Sequence, residues 1–155
     1  MSAVLQDPPL LSALSGVQDA ARAAGLSYAG SIPPKLAWEL FTLGKAVLVD
    51  VRSPEELKFV GHVPGILHVA WATGTNLTRN PRFVRELETK VKKTDAVLLL
   101  CRSGKRSALA AEAATKAGFT QVFNVQEGFE GELNESGQRG TSGGWRFHRL
   151  PWVQD

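Results

Sequence analysis

Residues 96–107 read AVLLLCRSGKRS. The continuous apolar run Ala96–Leu100 predicts a strand buried on both faces, as in a parallel sheet. Arg106–Ala117 follows as an alanine-rich helix, with Leu109, Ala110, Ala113, Ala114 and Ala117 as its expected inner stripe and Gly118 as its stop. Only Cys101–Lys105 remains to join the two. The backbone there must curl tightly, and Gly104 permits the curl.

Outward from this unit the same alternation continues. Ala46–Asp50 (AVLVD) is a second continuous apolar run. Ser53-Pro54-Glu55-Glu56 behind it is a capping box that opens a short helix to about Phe59. Ile66–Val69 is a brief strand, and Thr73–Asn80 is a polar loop. Asn80-Pro81 opens a helix carrying Phe83, Leu87 and Val91, and Gln121–Val125 is the last strand. On the N-terminal side, Asp7 and Pro8 start a helix with Leu10, Leu11, Leu14, Val17, Ala21 and Ala24 on one face, closed by Gly25. Leu26–Ile32 contains a short strand. Pro33 and Pro34 start a helix in which Leu36, Leu40 and Leu43 face inward, and Gly44 ends it. Gly131–Gly144 is glycine-rich and polar, and an aromatic patch of Trp145, Phe147 and Trp152 follows. Strands alternating with helices predict an α/β fold with a mainly parallel central sheet and helices on both faces. We read residues 28–155 as one domain and residues 1–27 as a helical extension of it.

The chain has 155 residues, 43% hydrophobic and 21% charged, with a net charge of +3. That charge is too mild to argue for nucleic acid or a membrane surface, but it suits a small anionic substrate if it gathers at one site. Cys101 is the only cysteine, so neither an internal disulfide nor a cysteine zinc cluster is expected. With no basic, apolar leader at Met1–Pro9 and no membrane-length apolar run, the expected location is the cytoplasm.

In a parallel sheet ligands bind beyond the carboxyl ends of the strands. Asp50-Val51-Arg52 and Cys101 onward occupy those positions. The tight loop Cys101–Ser107 aims successive N–H groups into a nest at the positive end of a helix. The helix end and the cations Arg102, Lys105 and Arg106 both favour the thiolate, the nucleophilic form of Cys101. The same amides suit a further sulfur bonded to it, and Ser107 adds a hydroxyl donor. The competing reading is a buried structural cysteine with a solvated charge run.

These segments resemble the rhodanese family in order and content. LVDVRSPEEL (Leu48–Leu57), GHVPGILHV (Gly61–Val69), CRSGKRS (Cys101–Ser107), GFEG (Gly128–Gly131) and GW…LPW (Gly144–Trp152) are similar to its successive motifs, with Ile66 where alanine is commoner. The resemblance implies a sulfurtransferase without a cofactor. Cys101 is then the nucleophile and sulfur carrier, and Arg102, Ser103, Gly104, Lys105, Arg106 and Ser107 form the substrate-binding loop. The donor implied is thiosulfate or a similar anion, and the acceptor is a thiol, including a protein thiol, or cyanide. Asp50 and Arg52 are supporting signature positions. Asp50 is either a partner for the loop cations or half of an ion pair that orders the strand ends, and Arg52 is read as structural. Lys105 and Arg106 are the expected cations for the donor, with the Arg106 fork the stronger grip.

Glu56 is read as a helix cap, His62 as a turn residue, and His68 and His148 as isolated, so no metal site is expected. Trp71 either walls the entrance or packs. The alternatives are a persulfide carrier, a regulatory binding module, and a phosphatase or arsenate reductase. Dual-specificity phosphatases have a cysteine-to-arginine loop one residue longer. The four residues between Cys101 and Arg106 make a nest sized for sulfur rather than phosphate.

Overall fold

The computed structural model describes residues 8–155. In order, the elements are α1 (Pro8–Ala24), β1 (Gly30–Ile32), α2 (Pro34–Thr42), β2 (Val47–Asp50), α3 (Pro54–Phe59), β3 (Leu67–His68), β4 (Ala72–Thr73), β5 (Thr78–Arg79), α4 (Phe83–Lys90), β6 (Ala96–Leu100), α5 (Lys105–Lys116) and β7 (Gln121–Val125). Five strands form one sheet in the order β1-β7-β6-β2-β3. Every pairing in it is parallel. The apolar runs at 46–50 and 96–100 become the neighbouring strands β2 and β6, in register from Val47↔Val97 to Asp50↔Leu100.

Alternation along these strands divides the core. Val49, Val97 and Leu99 face α4 and α5 with Phe83, Leu87, Ala110 and Ala114. Leu48, Leu98, Leu100 and Phe123 face the other side with Leu10, Ala37, Leu40 and Trp145. The helices therefore cover both faces, as expected. No helix among the described residues is long and apolar enough to cross a membrane.

Several local expectations are corrected. The strand in Leu26–Ile32 is confined to its last residues, Gly30–Ile32. Residues 73–80 are not simply a loop, because β4 and β5 pair there antiparallel. Leu43 and Leu109 are 42% and 53% exposed rather than inward. Leu43 is the C-cap of α2, where the chain already turns away. The buried face of α5 is Ser107, Ala110, Ala111 and Ala114, small residues that let the helix lie close to the sheet. In α1, Leu10 and Ala21 are buried, while Ala24 is exposed. The expected cap Asp7 and the side chain of Leu11 lie outside the described residues.

The end of β2 is fixed by a buried ion pair. Arg52 Nε and Nη2 donate to the Asp50 carboxylate at 2.8–3.2 Å, and Nη2 also donates to the Gly61 carbonyl at 2.8 Å. Both side chains are fully enclosed, and the guanidinium stacks on Phe129 at 4.2 Å from the ring centre. Phe129 belongs to the segment that follows β7, so the pair ties together three loops, two of which leave the carboxyl ends of the interior strands β2 and β7. Removing one partner strands a buried charge, at a cost of about 3–5 kcal/mol. Arg52→Met is accordingly expected to lower unfolding free energy by about that amount, read from urea denaturation.

Candidate functional site

Cys101 follows β6 directly and is 1% exposed. Gly104 is the N-cap of α5 and adopts φ +102°, a left-handed conformation that turns the chain back over the cysteine. Its N–H donates to Cys101 Sγ at 3.1 Å. The Ser107 hydroxyl lies 3.2 Å from the same sulfur. Among the described residues, the N–H groups of Arg102, Ser103, Lys105 and Arg106 have no backbone acceptor, so the loop keeps donors that its own backbone does not satisfy.

The loop is held from beneath by the segment after β7. Phe129 N donates to the Cys101 carbonyl at 2.7 Å and Glu130 N to the Arg102 carbonyl at 2.9 Å. This contact requires Gly128, where an added Cβ would lie 2.4 Å from the Arg102 carbonyl carbon. Asn124, at the end of β7, adds a polar brace. Its Nδ2 donates to the Gly104 carbonyl at 3.1 Å, and its Oδ1 accepts from the Ser107 hydroxyl. Asn124 is absent from the residues expected from sequence. Its signal was an amide enclosed by the apolar residues Val122, Phe123 and Val125.

The cations separate into two kinds. Arg106 does not project toward a donor. Its two terminal nitrogens donate to the two Glu56 oxygens at 2.7 and 2.8 Å. Glu56 is also the reciprocal half of the α3 capping box: its carboxylate accepts from Ser53 N at 3.1 Å, and Glu56 N donates to Ser53 Oγ at 3.3 Å. Burial pushes the Glu56 carboxyl up. The hydrogen bonds and charge of Arg106, with the Ser53 donors, outweigh that and bring it down to about 2. Burial likewise opposes the Arg106 charge, but Glu56 chiefly, then Cys101 and Asp50, raise its pKa. Lys105 is exposed, and Arg102 Nε is buried without a hydrogen-bond partner; among the described residues neither side chain makes an ion pair. Arg102 lines an open cleft of about 410 Å³ with Ser53, Glu56, Phe59, Leu77 and Arg139.

Asp50 spends its carboxylate on Arg52 rather than on the loop, and Ser103 sits half-buried in it. Trp71 packs, stacked edge-on against Phe83 at 5.2 Å and covered by Arg79. His62 pairs its backbone with Val153. His68 Nε2 lies 2.7 Å from the Arg52 carbonyl, and His148 is not isolated, because its Nε2 lies 2.8 Å from Glu127 Oε1. No group of three or more metal-ligating side chains occurs among the described residues.

Because the folded Glu56 titrates near 2 and the unfolded group near 4.5, its contribution is fully present above pH 4.5 and is lost as pH falls toward 2. The wild type is expected to lose roughly 2–3 kcal/mol from this source across that window. Glu56→Gln is expected to lack the contribution at neutral pH and to show a correspondingly flatter acid limb in urea titrations.

The pattern that defines the Rhodanese-like domain matches residues 33–135. The chain is 32% identical over 117 residues to the senescence-associated protein DIN1 of Raphanus sativus, covering 74% of this chain and 63% of that protein's length. It is 31% identical over 101 residues to thiosulfate sulfurtransferase 16, chloroplastic, of Arabidopsis thaliana, covering 64% of this chain and 82% of that one. The crystal structure of Rv0390 from M. tuberculosis superposes with a TM-score of 0.74 at 46% identity, covering 83% of this chain and 99% of that one. With the cysteine loop, the parallel sheet and these likenesses in agreement, the chain belongs to the rhodanese-like domain family, whose members here include distant sulfurtransferases.

Proposed function

We propose that this chain is a sulfurtransferase that carries transferred sulfur as a persulfide on Cys101. The observation that carries the reading is the sulfur's setting: Sγ meets the Gly104 N–H and the Ser107 hydroxyl inside a loop whose other amides are unspent. Thiosulfate or a similar anion is the proposed donor. The Cys101 thiolate attacks its outer sulfur, a new S–S bond forms, the donor's S–S bond breaks, and sulfite leaves with the electron pair. An acceptor thiolate or cyanide then attacks the outer sulfur of the persulfide, and Cys101 leaves as thiolate. With no second cysteine the persulfide is not resolved within one chain, so the acceptor comes from outside, as a small thiol, a protein thiol or cyanide. A reducing compartment such as the cytoplasm keeps Cys101 available. The named activity of the Arabidopsis relative supports thiosulfate.

The donor is an anion approaching an anion, so unpaired positive charge at the rim lowers the repulsion. Arg102 and Lys105 fill that role, since Glu56 already balances Arg106. Cys101→Ser is expected to abolish thiocyanate formation from thiosulfate and cyanide. Arg102→Ala and Lys105→Ala are each expected to lower kcat/KM for thiosulfate by about tenfold, the value of one contact to a charged group. Rising salt is expected to slow the wild type more than Lys105→Ala, because screening acts on the same attraction. Turnover retained by Cys101→Ser, or efficient cleavage of an aryl phosphate by the wild type, contradicts the proposal.

A further inference from the structure

Asn124 holds both groups that hold the sulfur. It is 7% exposed, and its Nδ2 donates to the carbonyl of Gly104, the residue whose N–H meets Sγ. A carbonyl only accepts, so this bond fixes which end of the amide faces Ser107. The Ser107 hydroxyl then has two acceptors, Asn124 Oδ1 and Cys101 Sγ, and one proton to give.

How that proton is shared depends on the chemical state of the sulfur. A Cys101 thiol donates its own S–H to Ser107 Oγ, and the hydroxyl donates onward to Asn124, so every group is satisfied. A thiolate is a charged acceptor and draws the stronger bond. The hydroxyl then turns to sulfur, and Asn124 Oδ1 loses its donor in a buried setting, which is unfavourable. In the persulfide the negative charge sits on the outer sulfur, Sγ is divalent and uncharged, and the hydroxyl returns to Asn124.

We infer that Asn124 is a positioning residue that competes with the discharged Cys101 thiolate for the Ser107 proton and thereby favours the sulfur-loaded state. This rests on the carrier reading of Cys101 and extends it to what sets the balance of loading. The equilibrium concerned is thiolate plus thiosulfate against persulfide plus sulfite. One S–S bond forms as another breaks, and charge is conserved.

Intact mass spectrometry of the full chain, equilibrated in alkaline buffer with thiosulfate and sulfite at fixed ratios, reads the loaded-to-discharged ratio directly. Asn124→Ala is expected to lower that ratio about fivefold, the worth of one neutral hydrogen bond. Ser107→Ala removes the contested proton and is expected to raise it. Adding Asn124→Ala to Ser107→Ala is then expected to change nothing further. A purely structural role would lower the ratio by the same factor in both backgrounds, and that result overturns the inference. If circular dichroism shows Asn124→Ala unfolded, Ser107→Ala alone decides the matter, and a ratio at or below wild type overturns it. Wild-type protein that takes up no sulfur at all overturns the carrier reading, and this inference with it, and is distinguished from the other outcomes by the missing mass.

Discussion

Between the last residue of β6 and the first of α5 the chain has only Cys101, Arg102, Ser103 and Gly104 in which to reverse onto the sheet. That constraint governs the rest of the site. A helix entered so abruptly leaves its first N–H groups without carbonyl partners, and the N–H of its N-cap, Gly104, meets the thiol. The turn demands a left-handed residue at Gly104, and the curled backbone demands support from below, which the Gly128–Glu130 segment gives at a distance no side chain would permit. Small residues on the buried face of α5 follow from the same geometry, because a helix starting this close to a strand end has room for alanine and serine and not for leucine.

Charge is distributed with a comparable division of labour. Asp50 and Arg52 neutralise each other in the interior and join the loops at the strand ends. Glu56 caps α3 and at the same time clamps Arg106, so a short helix and the cysteine loop are locked through one carboxylate. Arg102 and Lys105, which lie on either side of Gly104 in sequence, make no ion pair with a described residue, and in the proposed reaction they are the cations left to meet an anionic donor. The buried Asp50–Arg52 pair and the part-buried Glu56–Arg106 pair fix geometry.

Much of this was legible in the chain. The runs Ala96–Leu100 and Gln121–Val125 begin and end where β6 and β7 do, because strands buried on both faces admit no polar interruption beyond a residue with a specific partner. The capping box at Ser53 and Glu56 was legible because its partners are local. The Glu56–Arg106 clamp was not, since its halves are 50 residues apart and only the fold brings them together. Leu109 misled because helical spacing alone does not tell which of two overlapping stripes meets the sheet; Ser107, Ala110, Ala111 and Ala114 won by being small. The β4–β5 pair is too short for any alternation to mark it. Asn124 stood out only as an amide among apolar residues, and its purpose emerges from two contacts to a loop some twenty residues earlier in the chain.

In the proposed reaction, sulfur resides covalently on Cys101 between donor and acceptor. The most direct test is peptide mapping by mass spectrometry of protein exposed to thiosulfate and freed of excess donor. One added sulfur is expected, located on the peptide that contains Cys101 and removed by cyanide. No added sulfur, or sulfur that cyanide does not remove, would contradict it.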